Sequence, residues 1–380
     1  MFAVSAPGLE EMVTSELHQR GITGATPVDG GVNFSGNLAD LYDANLSLRT
    51  ASRIVVRVDE FHASSFHELE RRAKRIRWEE YLGPGSRARF RVTCRKSRLY
   101  HSDAVAQRFS EAVAKRVEGV AVSAAANESV DEGDDEVNDS TPVQLFTVRI
   151  AHDNCVVSVD SSGGLLHRRG YRQATGKAPL RETLAAAMVI GSGWDGRSPF
   201  IDPMCGSGVI AIEAALIARR IAPGIGRSFG FQEWPNHDCG LWESLREKAR
   251  EYAISGKTGV IMASDRDDGV MKLARSNAER ADVSDSVEMQ VKPISAIELP
   301  KRPGWMVTNP PYGVRVGDHG ALRNLYAQLG NIVRGQAKGY TIAFLSSDAM
   351  LESQLRLDLE EVFRTRNGGI PVRLMKSLIS

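Results

Sequence analysis

Phe200-Ile201-Asp202 is a short apolar run closed by an acid. It leads directly into Pro203-Met204-Cys205-Gly206-Ser207-Gly208 and then into an unbroken apolar stretch, Val209 to Ala218. A strand, a glycine loop and a helix in that order form the first unit of a doubly wound parallel sheet. The glycines let the loop backbone approach a ligand closely, and the helix start offers free N–H groups. The loop is Gly-x-Gly, shorter than the dinucleotide fingerprint, which disfavours a nicotinamide-dependent oxidoreductase. It is not a phosphate loop either, because no Gly-Lys-Ser/Thr follows.

The residues that follow extend the same sheet. Gly259 to Ser264 reads as the second strand and ends in Asp265, where an acid is placed to bind ribose hydroxyls; the bland alternative is a plain helix cap. The interval from the glycine loop is longer than the usual ~20 residues. Arg219 to Thr258 therefore reads as an insertion, with Trp234 and Trp242 as packing residues. A helix over 268–281 and a strand over 287–291 come next. Trp305-Met306-Val307-Thr308 is a further buried strand, and it ends in Asn309-Pro310-Pro311-Tyr312. Each proline fixes its own φ, lacks an N–H and keeps the preceding residue extended. The carbonyls of Asn309 and Pro310 then have no local partner. Such acceptors suit an exocyclic amine, and the Tyr312 ring suits the base that carries it. A strand over 340–345, a helix ending near Leu359 and an Asn367-Gly368-Gly369 turn between two apolar runs complete the chain, the last as a hairpin. Asp202, Asp265 and Asn309 fall on one edge, beyond the carboxyl ends of the strands.

The first 160 residues alternate in a different way. Residues 1–42 read as a small α/β unit, with a strand at Phe2-Ala3-Val4, a helix carrying Leu9, Met12, Val13 and Leu17, a strand from Gly31, and a helix with Leu38, Leu41, Tyr42 and Leu46 on one face. Beyond it, Ile54-Val55-Val56 reads as a strand and Phe66, Leu69, Ala73 and Ile76 as one face of a helix. In the next strand Ala88, Phe90 and Val92 point inward and Arg87, Arg89 and Arg91 outward. Ser102 is positioned to cap a helix carrying Val105, Phe109, Val113 and Val117. Residues 128–139 hold seven acids and no base, a composition that predicts a solvated loop. Strands over 143–150 and 155–160 close this half, and Gly163-Gly164 marks a boundary. Pro179 is expected to start the next helix, which runs through Met188.

The net charge of +1 hides a local imbalance, for residues 71–98 carry eleven Lys/Arg against two Glu. Arg71, Arg72, Arg75, Arg87, Arg89, Arg91, Arg95, Lys96 and Arg98 predict a phosphate-binding surface, the alternative being a solvated charged face. The four cysteines are scattered without a Cys-x-x-Cys, which argues against a disulfide framework or zinc site and fits a reducing compartment. The eight histidines show no metal spacing, so no metal is assigned. With no basic leader at the N-terminus and no apolar run of membrane-spanning length, a cytoplasmic location is expected.

These stretches together resemble a class I S-adenosylmethionine-dependent methyltransferase. More narrowly, they resemble the RNA guanine-N2 methyltransferases that carry a THUMP RNA-binding domain, with the bacterial 23S ribosomal RNA enzymes as the nearest group. The marks are Ala6-Pro7-Gly8-Leu9-Glu10, Arg169-Gly170-Tyr171-Arg172, Ala178-Pro179-Leu180-Arg181-Glu182, the Asp202–Gly208 loop and Asn309–Gly313. The resemblance implies a ferredoxin-like unit over 1–42, a THUMP-type domain over 43–160 and a Rossmann-like methyltransferase domain over 161–380 whose sheet ends in an antiparallel hairpin. It also implies that Asp202, Pro203, Cys205, Gly206, Ser207, Gly208, Asp265, Arg266 and Asn309 line the cofactor. Asn309, Pro310, Pro311 and Tyr312 would handle the guanine amine, with the Asn309 side chain and the Pro310 carbonyl accepting from it. The family often has an Asp after the third strand; here Pro293 stands there, which puts adenine contacts through that carboxylate in doubt. Asn-Pro-Pro-Tyr alone is shared with DNA adenine and protein glutamine methyltransferases. A transfer RNA substrate, DNA adenine and a protein amide therefore remain the alternatives to ribosomal RNA.

Overall fold

Two sheets carry the molecule in the computed structural model, which describes residues 1–124, 142–172, 180–256, 259–312 and 319–380. The first half runs β1 (Phe2–Ser5), α1 (Glu10–Gln19), β2 (Thr26–Val28), β3 (Gly31–Asn33), α2 (Leu38–Ser47), β4 (Ala51–His62), α3 (Phe66–Ala73), β5 (Arg87–Arg95), α4 (Ser102–Ala114), β6 (Ala121–Ala124), β7 (Val143–Ala151) and β8 (Asn154–Asp160). Its strands form one sheet in the order β2-β3-β1-β4-β8-β7-β5-β6. The twelve-residue β4 pairs with β1 through residues 51–55 and with β8 through residues 55–62, so one long strand belongs to both parts of the sheet. The division expected at residue 42 thus falls inside α2 and within a continuous sheet.

The second half runs α5 (Glu182–Gly191), β9 (Phe200–Asp202), α6 (Val209–Ala218), α7 (Cys239–Tyr252), β10 (Ile261–Asp265), α8 (Asp268–Arg280), β11 (Val287–Val291), β12 (Trp305–Thr308), α9 (His319–Gln336), β13 (Thr341–Ser346), α10 (Ala349–Leu355), β14 (Glu360–Asn367) and β15 (Ile370–Leu378). Its sheet has the order β11-β10-β9-β12-β13-β15-β14. The first five strands are parallel; β15 runs antiparallel to β13, and β14, antiparallel to β15, runs with the first five. The order reverses between β9 and β12, and in open α/β sheets the crevice at that reversal, outside the carboxyl ends of the strands, is where ligands bind. α6 is buried almost all round, as its unbroken apolar composition requires.

Several local expectations are corrected. Ser102 is the first residue of α4 and not its cap. The helix expected to begin at Pro179 starts at Glu182, and residues 173–179 lie outside the described residues, as does the acidic stretch 128–139. Leu38 remains exposed. The helix expected to reach Leu359 stops at Leu355, where Arg356 turns left-handed with φ of 52°. The hairpin turn is Gly368-Gly369, both at positive φ, with Asn367 paired to Ile370. Both turn residues thus suit a type I′ turn. The structure adds α9, in which Leu322, Tyr326, Leu329 and Val333 recur at helical spacing and are buried. It also adds the short strands β2 and β6.

The insertion after α6 does more than bridge two strands. Phe229, Phe231, Trp234 and Trp242 belong to the hydrophobic core of the first half. Tyr42 stacks on Phe231 at 4.2 Å, and the Trp234 indole N–H donates to Gln144 at 2.7 Å. Both tryptophans are packing residues, as expected. In return, Leu9 of the first half is buried in the core of the second. At Gly8, with φ of +82°, an added Cβ would meet the Arg364 carbonyl oxygen at 2.0 Å. Only glycine allows that conformation and that approach between α1 and β14.

Candidate active site

Three strand ends build the site. Asp202 closes β9 and is fully buried. Its Oδ1 accepts a hydrogen bond from the Thr308 hydroxyl at 2.9 Å, which ties the end of β9 to the end of β12. Its Oδ2 is buried and has no partner among the described residues. Burial pushes the carboxyl up to about 7, and the nearby Asp265 charge adds to the effect; the Thr308 hydroxyl and the Met204 N–H pull the other way.

The glycine loop follows directly. Gly206 and Gly208 both have positive φ. A Cβ on Gly208 would press on Ala274 of α8 at 3.1 Å, whereas one on Gly206 would meet nothing within 4 Å. Gly208 therefore serves close packing, and Gly206 leaves open space over the loop. Cys205 is buried with its thiol 3.5 Å from the Met271 sulfur. Burial pushes that thiol well above its usual range, so it is packed and inert. Pro203 is buried beside it, and Ser207 is half-buried, its carbonyl accepting from Asn277 Nδ2 at 3.0 Å.

Asp265 closes β10. Its Oδ2 accepts from the Gly206 N–H at 3.1 Å and its Oδ1 from the Asp267 N–H at 3.1 Å. The cap of α8 is Asp267, which accepts from the Val270 N–H. Asp265 is thus no helix cap; it braces the glycine loop from the neighbouring strand. Arg266 is exposed just beyond it. After β11, exposed Pro293 leads into a short 3-10 turn over Ile294–Ala296 with Ile294 buried, and no carboxylate stands at that turn.

Asn309 follows β12. Its side-chain oxygen is buried and has no partner among the described residues. Pro310 is buried, and Pro311 and Tyr312 are half-buried. The Tyr312 hydroxyl accepts from Asn367 Nδ2 at 2.8 Å, so the tip of the β14–β15 hairpin holds the ring. Asn367 was not anticipated; the sequence marks it only as a turn residue. Unpartnered buried acceptors are costly in a finished fold. Two of them at the ends of adjacent strands, beside an open glycine loop, fit a ligand that brings hydrogen-bond donors. Among the described residues no group of three or more His, Cys, Asp or Glu is placed to hold a metal ion, and no helix is long and apolar enough to cross a membrane.

The basic residues of the first half do not form one uniform surface. Arg71, Arg75, Arg95, Lys96 and Arg98 are exposed. Arg72 is half-buried, its guanidinium 5.6 Å from the Phe61 ring centre. Arg87, Arg89 and Arg91 leave the core face as alternation requires, yet all three are half-buried and each is engaged within the fold. They are therefore not an open row of cations.

A parallel sheet of this order, with its site at the reversal and an antiparallel pair at its edge, is the Rossmann-like fold of class I methyltransferases. A family model described as "RMKL-like, methyltransferase domain" matches residues 169–376, and one described as "RlmL ferredoxin-like domain" matches residues 1–55. A Synechocystis sp. protein, provisionally named an RNA methyltransferase, is 34% identical over 382 residues, covering 99% of this chain and 95% of its own. Among solved structures, SMU.472, provisionally described as a methyltransferase and crystallised with SAH, superposes with a TM-score of 0.86 at 30% identity, covering 100% of this chain and 97% of that one. A Listeria monocytogenes protein, provisionally described as an N6-adenine-specific DNA methylase, gives 0.86 at 29% identity, with 100% and 96% covered. TrmN from Thermus thermophilus shares the fold, at 0.71 and 20% identity over 100% and 99%. The chain belongs to the RMKL-like methyltransferase family, with an RlmL-type ferredoxin-like domain at its start.

Proposed function

We propose that this protein transfers a methyl group from S-adenosylmethionine to the exocyclic N2 amine of a guanosine in RNA, with 23S ribosomal RNA as the substrate and transfer RNA as the next choice. The observation that carries the reading is the pair of buried oxygens without a partner among the described residues, Asp202 Oδ2 and Asn309 Oδ1, on strand ends joined by the Thr308–Asp202 hydrogen bond. On this reading Asp202, the Cys205–Gly208 loop and Asp265 with Arg266 hold the cofactor, whose sulfonium supplies the electrophilic methyl group when bound.

Asn309 and the Pro310 carbonyl act on the nucleophile. A guanine amine attacks poorly because its lone pair is delocalised into the ring. Acceptors on its two hydrogens favour the tetrahedral nitrogen and take up the positive charge that develops as the N–C bond forms and the S–C bond breaks. The extra proton then leaves to solvent. Tyr312, held by Asn367, presents a ring on which the extruded base stacks. Residues 43–160 act as the THUMP-type RNA-binding part, gripping RNA by shape and backbone.

Asn309→Ala should lower methyl transfer by about 10²-fold or more, as for one lost oxyanion donor of roughly 3 kcal/mol, while cofactor affinity persists. A tritiated-methyl assay with RNA, DNA and protein substrates, beside calorimetric titration of S-adenosylmethionine, measures both. Full activity in the variant refutes the role of Asn309. Label incorporated into DNA adenine instead of RNA favours the reading suggested by the shared Asn-Pro-Pro-Tyr stretch and the Listeria relative.

A further inference from the structure

Tyr100 is the most exposed aromatic ring among the described residues, with 69% of its surface in solvent, while its neighbour Leu99 is buried to 4%. One exposed aromatic residue is ordinary; its surroundings are not. The segment from Arg95 to His101 holds Arg95, Lys96 and Arg98, all exposed, and no acid. The His101 ring lies 4.0 Å from that of Tyr100, tilted by 41°.

The loop is rigidly backed. Ser97 Oγ donates to the Arg95 carbonyl at 2.8 Å and accepts from the Asp153 N–H at 3.1 Å. Asp153 Oδ1 in turn accepts from the Arg98 N–H at 2.7 Å. Asp153 also brings a carboxylate close, with Oδ2 4.0 Å from Arg98 Nε, and it leaves the Arg98 side chain 77% exposed. Lys96 is held at φ of +46°, and His152 and Asp153 on the facing β7–β8 turn are also at positive φ. A non-glycine residue in that region costs free energy and persists only where its surroundings over-determine it. The ring is thus held out into water on a preorganised support, with Leu99 as its anchor.

We propose that Tyr100 is a stacking platform for an unpaired RNA base, with Arg95, Lys96 and Arg98 contacting the phosphates on either side. The partner is single-stranded RNA because only an unpaired base offers its face to a ring, and every base has such a face. The proposal rests on the RNA reading above. It adds a second base-holding position, on the first sheet, separate from the Tyr312 pocket.

The test uses the full chain, fluorescein-labelled oligouridylate and a blunt RNA duplex of the same length, read by anisotropy over a salt series. Tyr100→Ala should weaken oligouridylate binding by about tenfold, within the roughly 5- to 150-fold worth of one base–aromatic stack, and leave duplex binding unchanged. Tyr100→Trp should restore it. Arg95→Gln with Lys96→Gln should weaken both probes and flatten the salt dependence. Unchanged oligouridylate affinity in Tyr100→Ala, or equal losses on both probes, overturns the platform. If the wild-type chain methylates RNA while Tyr100→Ala binds normally, only the platform falls. If the wild type binds neither probe and methylates no RNA, the RNA reading falls and the platform with it.

Discussion

Asp202 shows how one carboxyl can couple the fold to its ligand. The folded chain raises its pKa from 3.8 to about 7, chiefly by burial. Between those two values the folded state holds a proton that the unfolded state has lost. Stability therefore falls as pH rises through the window and is level above about 7. A cationic group docking on Oδ2 favours the ionised form and expels that proton. Affinity for S-adenosylmethionine should then fall about tenfold per pH unit below about 7 and level off above it. Titration calorimetry in two buffers of different ionisation enthalpy reads the released proton directly. Thr308→Val removes the bond that lowers the carboxyl's pKa, so it should move the inflection upward. An affinity flat from about pH 6 to 8 would remove Asp202 from the binding site.

At the scale of elements, the halves meet through buried polar bonds around the end of α6. Arg49 donates to the Ile221 carbonyl at 2.6 Å and to Leu216 at 3.4 Å, a cation set against the last carbonyls of the helix. Arg169 donates to the Arg49 carbonyl at 2.6 Å and to the Leu166 carbonyl at 2.8 Å, and its Nε lies 3.5 Å from Glu213 of α6. Glu213 also accepts from the Tyr171 hydroxyl at 3.0 Å. Next to this group, Arg172 pairs with Glu182 of α5 at 2.8 Å. The Arg-Gly-Tyr-Arg stretch is therefore a clamp on α5 and α6. Replacing one member leaves an uncompensated charge in the interior. Arg169→Met should cost about 3–5 kcal/mol in urea unfolding. A loss under about 1 kcal/mol would mean that Glu213 is already compensated by Tyr171 alone.

At the scale of the whole molecule, the two halves share their cores. Phe229, Phe231, Trp234 and Trp242 are between 0% and 8% exposed because the first half covers them. Aromatic side chains bury 150–250 Å² each; Phe229, Phe231 and Trp242 also pack on one another, so removing that cover exposes on the order of several hundred Å² of apolar surface. Soluble monomers rarely show contiguous patches above a few hundred Å². A chain of residues 161–380 alone should self-associate, and light scattering after size exclusion checks this. A monodisperse fragment that melts like the intact protein would show that the shared core is dispensable. Truncation is therefore a poor way to assign RNA binding to the first half, and point variants of exposed residues are the better tool.

Periodicity and punctuation made much of this legible. The run from Phe200 to Ala218 specified strand, loop and buried helix because one apolar pattern can satisfy only one such arrangement, and the prolines after Asn309 stiffen their own backbone wherever they stand. Partners distant in sequence could not be read in the same way. Nothing local marks Thr308 as a donor to Asp202, Asn367 as the hold on Tyr312, or Asp265 as a brace for Gly206 and not a helix cap. The outward arginines of β5 followed the alternation, yet only the folded structure shows that they are half-buried and engaged. Local chain chemistry acts through residues a few positions apart, so the sequence determined the elements and the types of residue at their ends. Which of those ends meet, and which buried oxygens are left without a donor among the described residues, depends on contacts 55 to 106 residues apart, and only the tertiary structure decided them.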